Sequence, residues 1–371
     1  MSSNSKPRDG DEQGQGTQSR RDVIAGFCGA AIVGVAGCAS GDTNGADDTS
    51  DESDDQEETS ETDESGEQDD TETEDSSVSI QFSGPQGAAM TLPTRLIRDE
   101  GFAADRGLDL DLELQPPPAI QQAIFAKEVE SGTFPVMAGA RAINEGRNVR
   151  LLGPVCRSFN SIVVRNDAGI GNIEDLQDAT LGSMPRSSAP WTHWAVLVNM
   201  EGLDHEAYEY RFSPPAALFG AIQQGDLDAI IGVEPFTSRL LDTGDFEEIY
   251  VFNDQWEEFT GRPMPLVEVA TYQETIDERP SAVKRLMNAM FDAGEHIGEN
   301  SRTVIEQYEA ELGLETESQF ELVEDRIGHI YPDGFDEELR ASGAEVVERA
   351  AEFGLIDSDP TETMFVDPRE L

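Results

Sequence analysis

The sequence predicts an α/β fold of two lobes on mostly parallel sheets, and three observations lead there. From Val78 onward, short apolar runs alternate with helical patterns, the signature of βαβ units. The 294 residues from Val78 to Leu371 are long for one compact unit and suit two. A weak internal echo points the same way. Ala119-Ile120-Gln121-Gln122-Ala123-Ile124 runs into Ser131-Gly132-Thr133-Phe134-Pro135-Val136, and Ala216 to Gln224 runs into Gly225-Asp226-Leu227-Asp228-Ala229-Ile230. Each is a helix, a glycine stop and a short apolar strand in related order.

In chain order, Val78-Ser79-Ile80-Gln81-Phe82 alternates as a first strand and ends at Ser83-Gly84-Pro85. A helix follows to Glu100, stopped by Gly101. Leu108, Leu110, Leu112 and Leu114 alternate with Asp109, Asp111 and Glu113, the period of a strand with one wet face. Pro116 to Pro118 break it, and a helix is expected over 119–130. Strands are expected at 149–152, 161–165, 180–184, 208–212 and 228–233, with helices at about 189–200 and 215–224. Beyond Pro280 the pattern is nearly all helix, with Val283, Leu286, Met287, Met290 and Phe291 on an apolar, core-facing stripe.

Charge excludes some functions. The chain carries 76 acidic and 25 basic residues, a net charge of −51, which is the wrong sign for a nucleic-acid phosphate backbone. Residues 42–77 hold 18 Asp or Glu in 36 positions and no aliphatic side chain larger than Ala. Such a stretch cannot bury enough apolar surface to order itself and reads as a disordered linker over 39–77. The residues from Val78 still hold 54 acids against 21 bases, and only three residues of the chain are Lys. That balance suits molar salt, where the Debye length falls to roughly 3 Å.

The first 38 residues read as an address. Arg20-Arg21 precede an apolar run from Val23 to Gly37, and Val35-Ala36-Gly37-Cys38 follows the pattern of a lipobox. The run is 15 residues, eight of them Gly or Ala, against the ~20 that a bilayer-spanning helix needs. The expectation is a twin-arginine lipoprotein signal, with Cys38 as the lipid anchor to the membrane. Cys28 lies in the apolar run and Cys156 stands alone in the folded part, where it reads as a buried filler.

Three motifs then carry a resemblance. Gly171-Asn172-Ile173-Glu174-Asp175-Leu176-Gln177-Asp178 leads into a strand, Gln224 to Pro235 reads G-D-L-D-A-I-I-G-V-E-P after its Gln, and Glu100 to Leu108 reads E-G-F-A-A-D-R-G-L. Together they resemble the solute-binding proteins of ABC importers, in the group that binds nitrate, taurine, alkanesulfonates and thiamine precursors. The resemblance implies a periplasmic-binding-protein type II fold, a Venus-flytrap with ligand between lobes. It places crossings near 164–167 and 262–267, hence one lobe of 78–165 plus 266–371 and another of 166–265. It implies a small, anionic solute and, as partners, a permease and its ATPase. Pro135 stands where the family pattern has Asp.

Candidate contacts lie in loops after strands, where helix N-termini offer N–H groups to an anion. They are Gln86, a solute contact or a plain turn residue; Phe159 and Asn160 before the first crossing; and Arg186, Ser187 and Ser188 before the helix carrying Trp191. Arg186 reads as an anion partner or a solvated loop residue, and Ser188 also suits an N-cap. Glu234, which could take an amine or hold the loop by hydrogen bonds, and Phe236 flank Pro235 and complete the set. Neither cofactor nor metal is expected: no Cys/His cluster has ligand spacing, and no phosphate loop carries a Lys. No catalytic role is expected either, since His193 reads as structural and neither Lys127 nor Lys284 follows a strand end. Two alternatives share the fold: a lipid-anchored receptor for a chemotaxis transducer, and a thiamine-pyrimidine binder or synthase.

Overall fold

The computed structural model describes residues 78–87 and 89–371. Arg20-Arg21, the lipobox with Cys38 and the acidic stretch lie outside the described residues. The chain opens with β1 (Val78–Pro85), α1 (Thr91–Asp99), α2 (Phe102–Asp105), β2 (Leu108–Gln115), α3 (Pro117–Ala126), β3 (Ser131–Phe134), α4 (Val136–Asn144) and β4 (Val149–Arg157). There follow β5 (Ser161–Arg165), β6 (Thr180–Ser183), α5 (Ala189–Met200), β7 (Glu209–Phe212), α6 (Pro215–Gln223), β8 (Ala229–Gly232), α7 (Phe236–Asp242), β9 (Phe246–Val251) and α8 (Phe252–Thr260). The rest is β10 (Pro265–Tyr272) and helices α9 (Gln273–Glu278), α10 (Pro280–Gln307), α11 (Glu309–Leu312), α12 (Glu317–Ile327), α13 (Glu337–Glu352) and α14 (Thr361–Met364).

These strands make two five-stranded sheets, ordered β2-β1-β3-β10-β4 and β7-β6-β8-β5-β9. In the first, β10 runs antiparallel to β3 and β4; in the second, β5 runs antiparallel to β8 and β9. Each sheet is therefore mostly parallel, with one opposed strand supplied by the chain just after it changes sheet. The echo in sequence falls on matching places: α3 leads into β3 beside β1, and α6 leads into β8 beside β6.

One boundary differs from expectation. Residues 161–165 pair with β8 and β9, so the first crossing lies at 158–160 and not at 164–167. The apolar run Ser161-Ile162-Val163-Val164 is buried on both faces, which a central strand of the second sheet requires. The chain returns to the first sheet between α8 and β10.

Burial follows the pattern of the sequence. Along β2 the leucines are the less exposed positions and the acids alternate with them, because this edge strand wets one face. A first core fills the space between one face of the first sheet and α1, α10 and α12, with Val283, Leu286, Met287 and Met290 from the α10 stripe. A second core joins elements of both sheets, including Leu151, Ala270, Ile162, Trp194 and Trp256. A smaller one, with Val163, Leu218, Leu227 and Ile230, lies under α6. The G-D-L-D-A motif earns its residues locally: Gly225 has φ 77°, and the Asp228 carboxylate accepts the Thr180 N–H at 3.0 Å, tying the β8 entrance to β6.

Candidate functional site

The loops that leave β1, β2, β3, β6 and β7 at their C-terminal ends converge on one cleft. Its cavity is about 450 Å³, inside the range of small-molecule sites. The first sheet supplies Pro85, Gln86, Gly87, Met90, Pro116 to Pro118, Gln121, Thr133 and Pro135, and the start of β10 adds Leu266 and Val267. The second supplies Met184, Pro185, Ser187 to Pro190, Phe212 to Pro215 and Val233. Phe159 and Asn160, at the first crossing, complete the wall.

The structure thus brings five of the sequence candidates to the cleft: Gln86, Phe159, Asn160, Ser187 and Ser188. Asn160 is fully buried and its amide donates to the Gly232 carbonyl at 2.9 Å, which holds the crossing against β8. Ser188 caps α5, its Oγ accepting the Trp191 N–H at 3.5 Å.

The other four candidates lie elsewhere. Arg186 makes a two-pronged pair with Glu206, at 2.5 and 3.0 Å, and its guanidinium sits over Trp191 at 4.6 Å. The pair holds the Glu206 carboxyl below its ordinary value and the guanidinium above, so Arg186 is committed to Glu206; its guanidinium also lies 5.7 Å from the ring centroid of the cleft residue Phe212, but Arg186 itself does not line the cleft. Trp191 is buried beside Arg186, His205 and Tyr210 and does not line the cleft. Glu234 is fully buried and bound by Arg326 and by Ser238, whose Oγ donates at 2.8 Å. Burial pushes its carboxyl upward, against the pull of those donors. Phe236 packs on Phe219, ring centroids 5.2 Å apart. Because the Arg186–Glu206 pair is solvent-exposed, Arg186→Ala is expected to lower stability by only about 1 kcal/mol in urea melts. It should leave the affinity of any ligand in the cleft unchanged.

What sequence reasoning missed is the chemistry of the wall. No lining residue carries a formal charge, and nine of the 25 are proline. Those prolines sit where helix N–H groups were expected to receive an anion. Pro116, Pro117 and Pro118 occupy the N-cap and first two positions of α3, and the next N–H, of Ala119, bonds back to the Pro116 carbonyl at 2.8 Å. Pro135 caps α4, Pro190 is second in α5, and Pro214 and Pro215 open α6. Proline has no N–H to give. The signal was in the sequence, as three prolines after β2 and two before α6, but reads there only as strand and helix punctuation.

His193, Cys156, Lys127 and Lys284 do not line the cleft. His193 is fully buried with neither ring nitrogen partnered among the described residues, and burial lowers it to about 3, so it is neutral. Cys156 is buried and its thiol is pushed well up by desolvation. Lys127 pairs with Glu274 at 2.6 Å, and Lys284 reaches the C-terminal carbonyls.

Two mixed sheets meeting at one cleft define the two-lobed α/β fold of periplasmic binding proteins. The chain belongs to the NMT1/THI5-like family, whose model matches residues 96–301. Among solved structures, a protein from Bordetella bronchiseptica superposes with a TM-score of 0.67 at 17% identity, covering 79% of this chain and 96% of that one. The periplasmic aliphatic sulphonate binding protein from Escherichia coli gives 0.64 at 14% identity, covering 79% and 93%. The periplasmic nitrate-binding protein from Synechocystis gives 0.60 at 12%, covering 78% and 86%. A search of curated proteins finds no match.

Proposed function

We propose that this chain is the extracytoplasmic solute-binding component of an ABC importer. It captures a small solute by closing two lobes around it, then presents the closed form to a membrane permease driven by an ATPase. The observation that carries the reading is the cleft, formed by the strand ends of both sheets with the crossing residues Phe159 and Asn160 in its wall. The lobes are 78–157 with 265–371, and 161–260; a rotation at the two crossings opens and closes the cleft, and ligand shifts that equilibrium. Structural neighbours of known role, the sulphonate and nitrate binders, support the reading by analogy of fold. Cys38 carries the lipid that holds the protein at the outer face of the cell membrane, and residues 39–77 are the tether. The excess of acids suits work in molar salt.

The test is a thermal-shift screen of the full chain in molar KCl. The panel holds nitrate, taurine, alkanesulfonates, bicarbonate, thiamine precursors and uncharged compounds of similar size. A ligand at roughly 100 times its Kd is expected to add about 2.7 kcal/mol of stability. No stabilisation by any compound would contradict a solute-binding role.

A further inference from the structure

We infer that the cleft takes an uncharged solute with a mostly apolar body and an amide or hydroxyl edge, and not a small anion. The inference rests on the solute-binding reading above and names its substrate class. Three independent features of the cleft argue for it.

First, an anion leaving water must find replacement donors or a cation, or pay the desolvation cost in full. The wall has no Lys, Arg or His; of the two arginines next to lining residues in sequence, Arg186 is bound to Glu206 and Arg211, exposed on β7, does not line the cleft. Second, proline and local hydrogen bonds take several N–H groups out of the helix starts that would cradle an oxyanion. α3 has proline at its N-cap and first two positions, and in α6 the N–H of Ala217 turns back to Pro214 at 3.0 Å. In α5 the Trp191 N–H is taken by Ser188 and position two is Pro190. Third, the wall offers Met90, Met184, Phe159, Phe212, Leu266 and Val233, an apolar surface for a body far larger than nitrate. The polar side chains left over are neutral: among the described residues, those of Gln86, Gln121, Thr133, Ser187 and Ser213 line the cleft without an intramolecular hydrogen bond. Such groups read an amide or hydroxyl edge. The charge of the whole agrees, with 54 acids against 21 bases from Val78 onward. At low salt that field repels anions, and molar salt only screens it.

Two fluorescent probes with one skeleton separate the classes. N-phenyl-1-naphthylamine is uncharged; its analogue 1-anilinonaphthalene-8-sulfonate adds one sulfonate, and both brighten on leaving water. In titrations of the full chain in molar KCl, the uncharged probe is expected to bind at least about ten-fold tighter. Met184→Lys, which sets a cation in the wall from the second sheet, is expected to reverse that order. Gln86→Lys does the same from the first sheet at an exposed position, so it reports even if Met184→Lys fails to fold. A sulfonate that binds the unmodified chain as tightly as its uncharged partner, or tighter, overturns the uncharged class while leaving solute capture standing. If neither probe binds, or if binding ignores the Lys variants, the cleft is not the site and both readings fall.

Discussion

Arg326→Met is expected to cost about 3–5 kcal/mol of folding stability, because it strands two carboxylates. Arg326, on α12, donates to both Glu248 oxygens at 2.7 and 2.9 Å and also to Glu234. Burial alone would lower the guanidinium, but Glu248 and Glu234 more than reverse that and hold it raised. Glu234 has no solvent exposure, so without Arg326 only the Ser238 N–H and Oγ remain to it. The surface pairs of this molecule differ in kind: Arg302 with Glu317 or Lys127 with Glu274 stay wet and contribute little. The network matters for architecture, since it fastens the C-terminal helices to β9 and to the turn after β8 in the second sheet. Urea melts at fixed KCl check the expectation. Adding Glu234→Gln should recover part of the loss, as the buried charge is then gone. A single-variant loss below about 1 kcal/mol would mean that the carboxylates find water or other donors.

The second large effect is a pH dependence set by Glu268. This residue sits in β10, fully buried, and neither carboxylate oxygen has a hydrogen-bond partner among the described residues. Burial pushes its pKa up to about 8, with Arg340 opposing weakly. In the unfolded chain a Glu titrates near ~4.3, so between about pH 4.3 and 8 the fold keeps a proton that the unfolded chain has released. Stability from this group is therefore greatest at low pH, falls as pH rises through that window, and is flat above it. Glu268→Gln removes the charge without changing the shape. It is expected to be more stable than the parent by about 2–4 kcal/mol at pH 8, with the difference shrinking towards pH 5. Equal stability at both pH values would show that the carboxyl is solvated in the folded state.

Much of the fold was legible because local pattern and tertiary role agree. The alternation of Leu and acid in β2 and the stripe on α10 are read directly from period, and α5 coincides with its expected 189–200. β9 was harder: Phe246-Glu247-Glu248-Ile249-Tyr250-Val251 is too acidic to look like a strand until Arg326 neutralises Glu248. The α4 helix was missed because Val136-Met137-Ala138-Gly139-Ala140 is apolar throughout and reads as a continuing strand. The same ambiguity hid which sheet takes 161–165, since a strand buried on both faces has no polar side to orient it.

For the site, position was legible and chemistry was not. Loops after strand ends follow from topology, which is why Gln86, Phe159, Asn160, Ser187 and Ser188 reach the cleft. The fate of Arg186 depends on Glu206, 20 residues on and across a whole helix, a proximity that only the fold creates. Trp191 and Glu234 do not line the cleft for a related reason: each lies next to a cleft residue in sequence, but its partners come from β7 and α12, and Glu234 holds its loop by hydrogen bonds instead.

The central claim is that solute is held in the cleft between the two sheets, and hydrogen exchange tests it most directly. The full chain would be followed by mass spectrometry in molar KCl, with and without saturating N-phenyl-1-naphthylamine. The account predicts slower exchange in segments around 84–91, 132–137, 158–161, 184–192 and 212–219, with α11 and the start of α12 unchanged. Protection confined to other segments, or none at saturation, would contradict it.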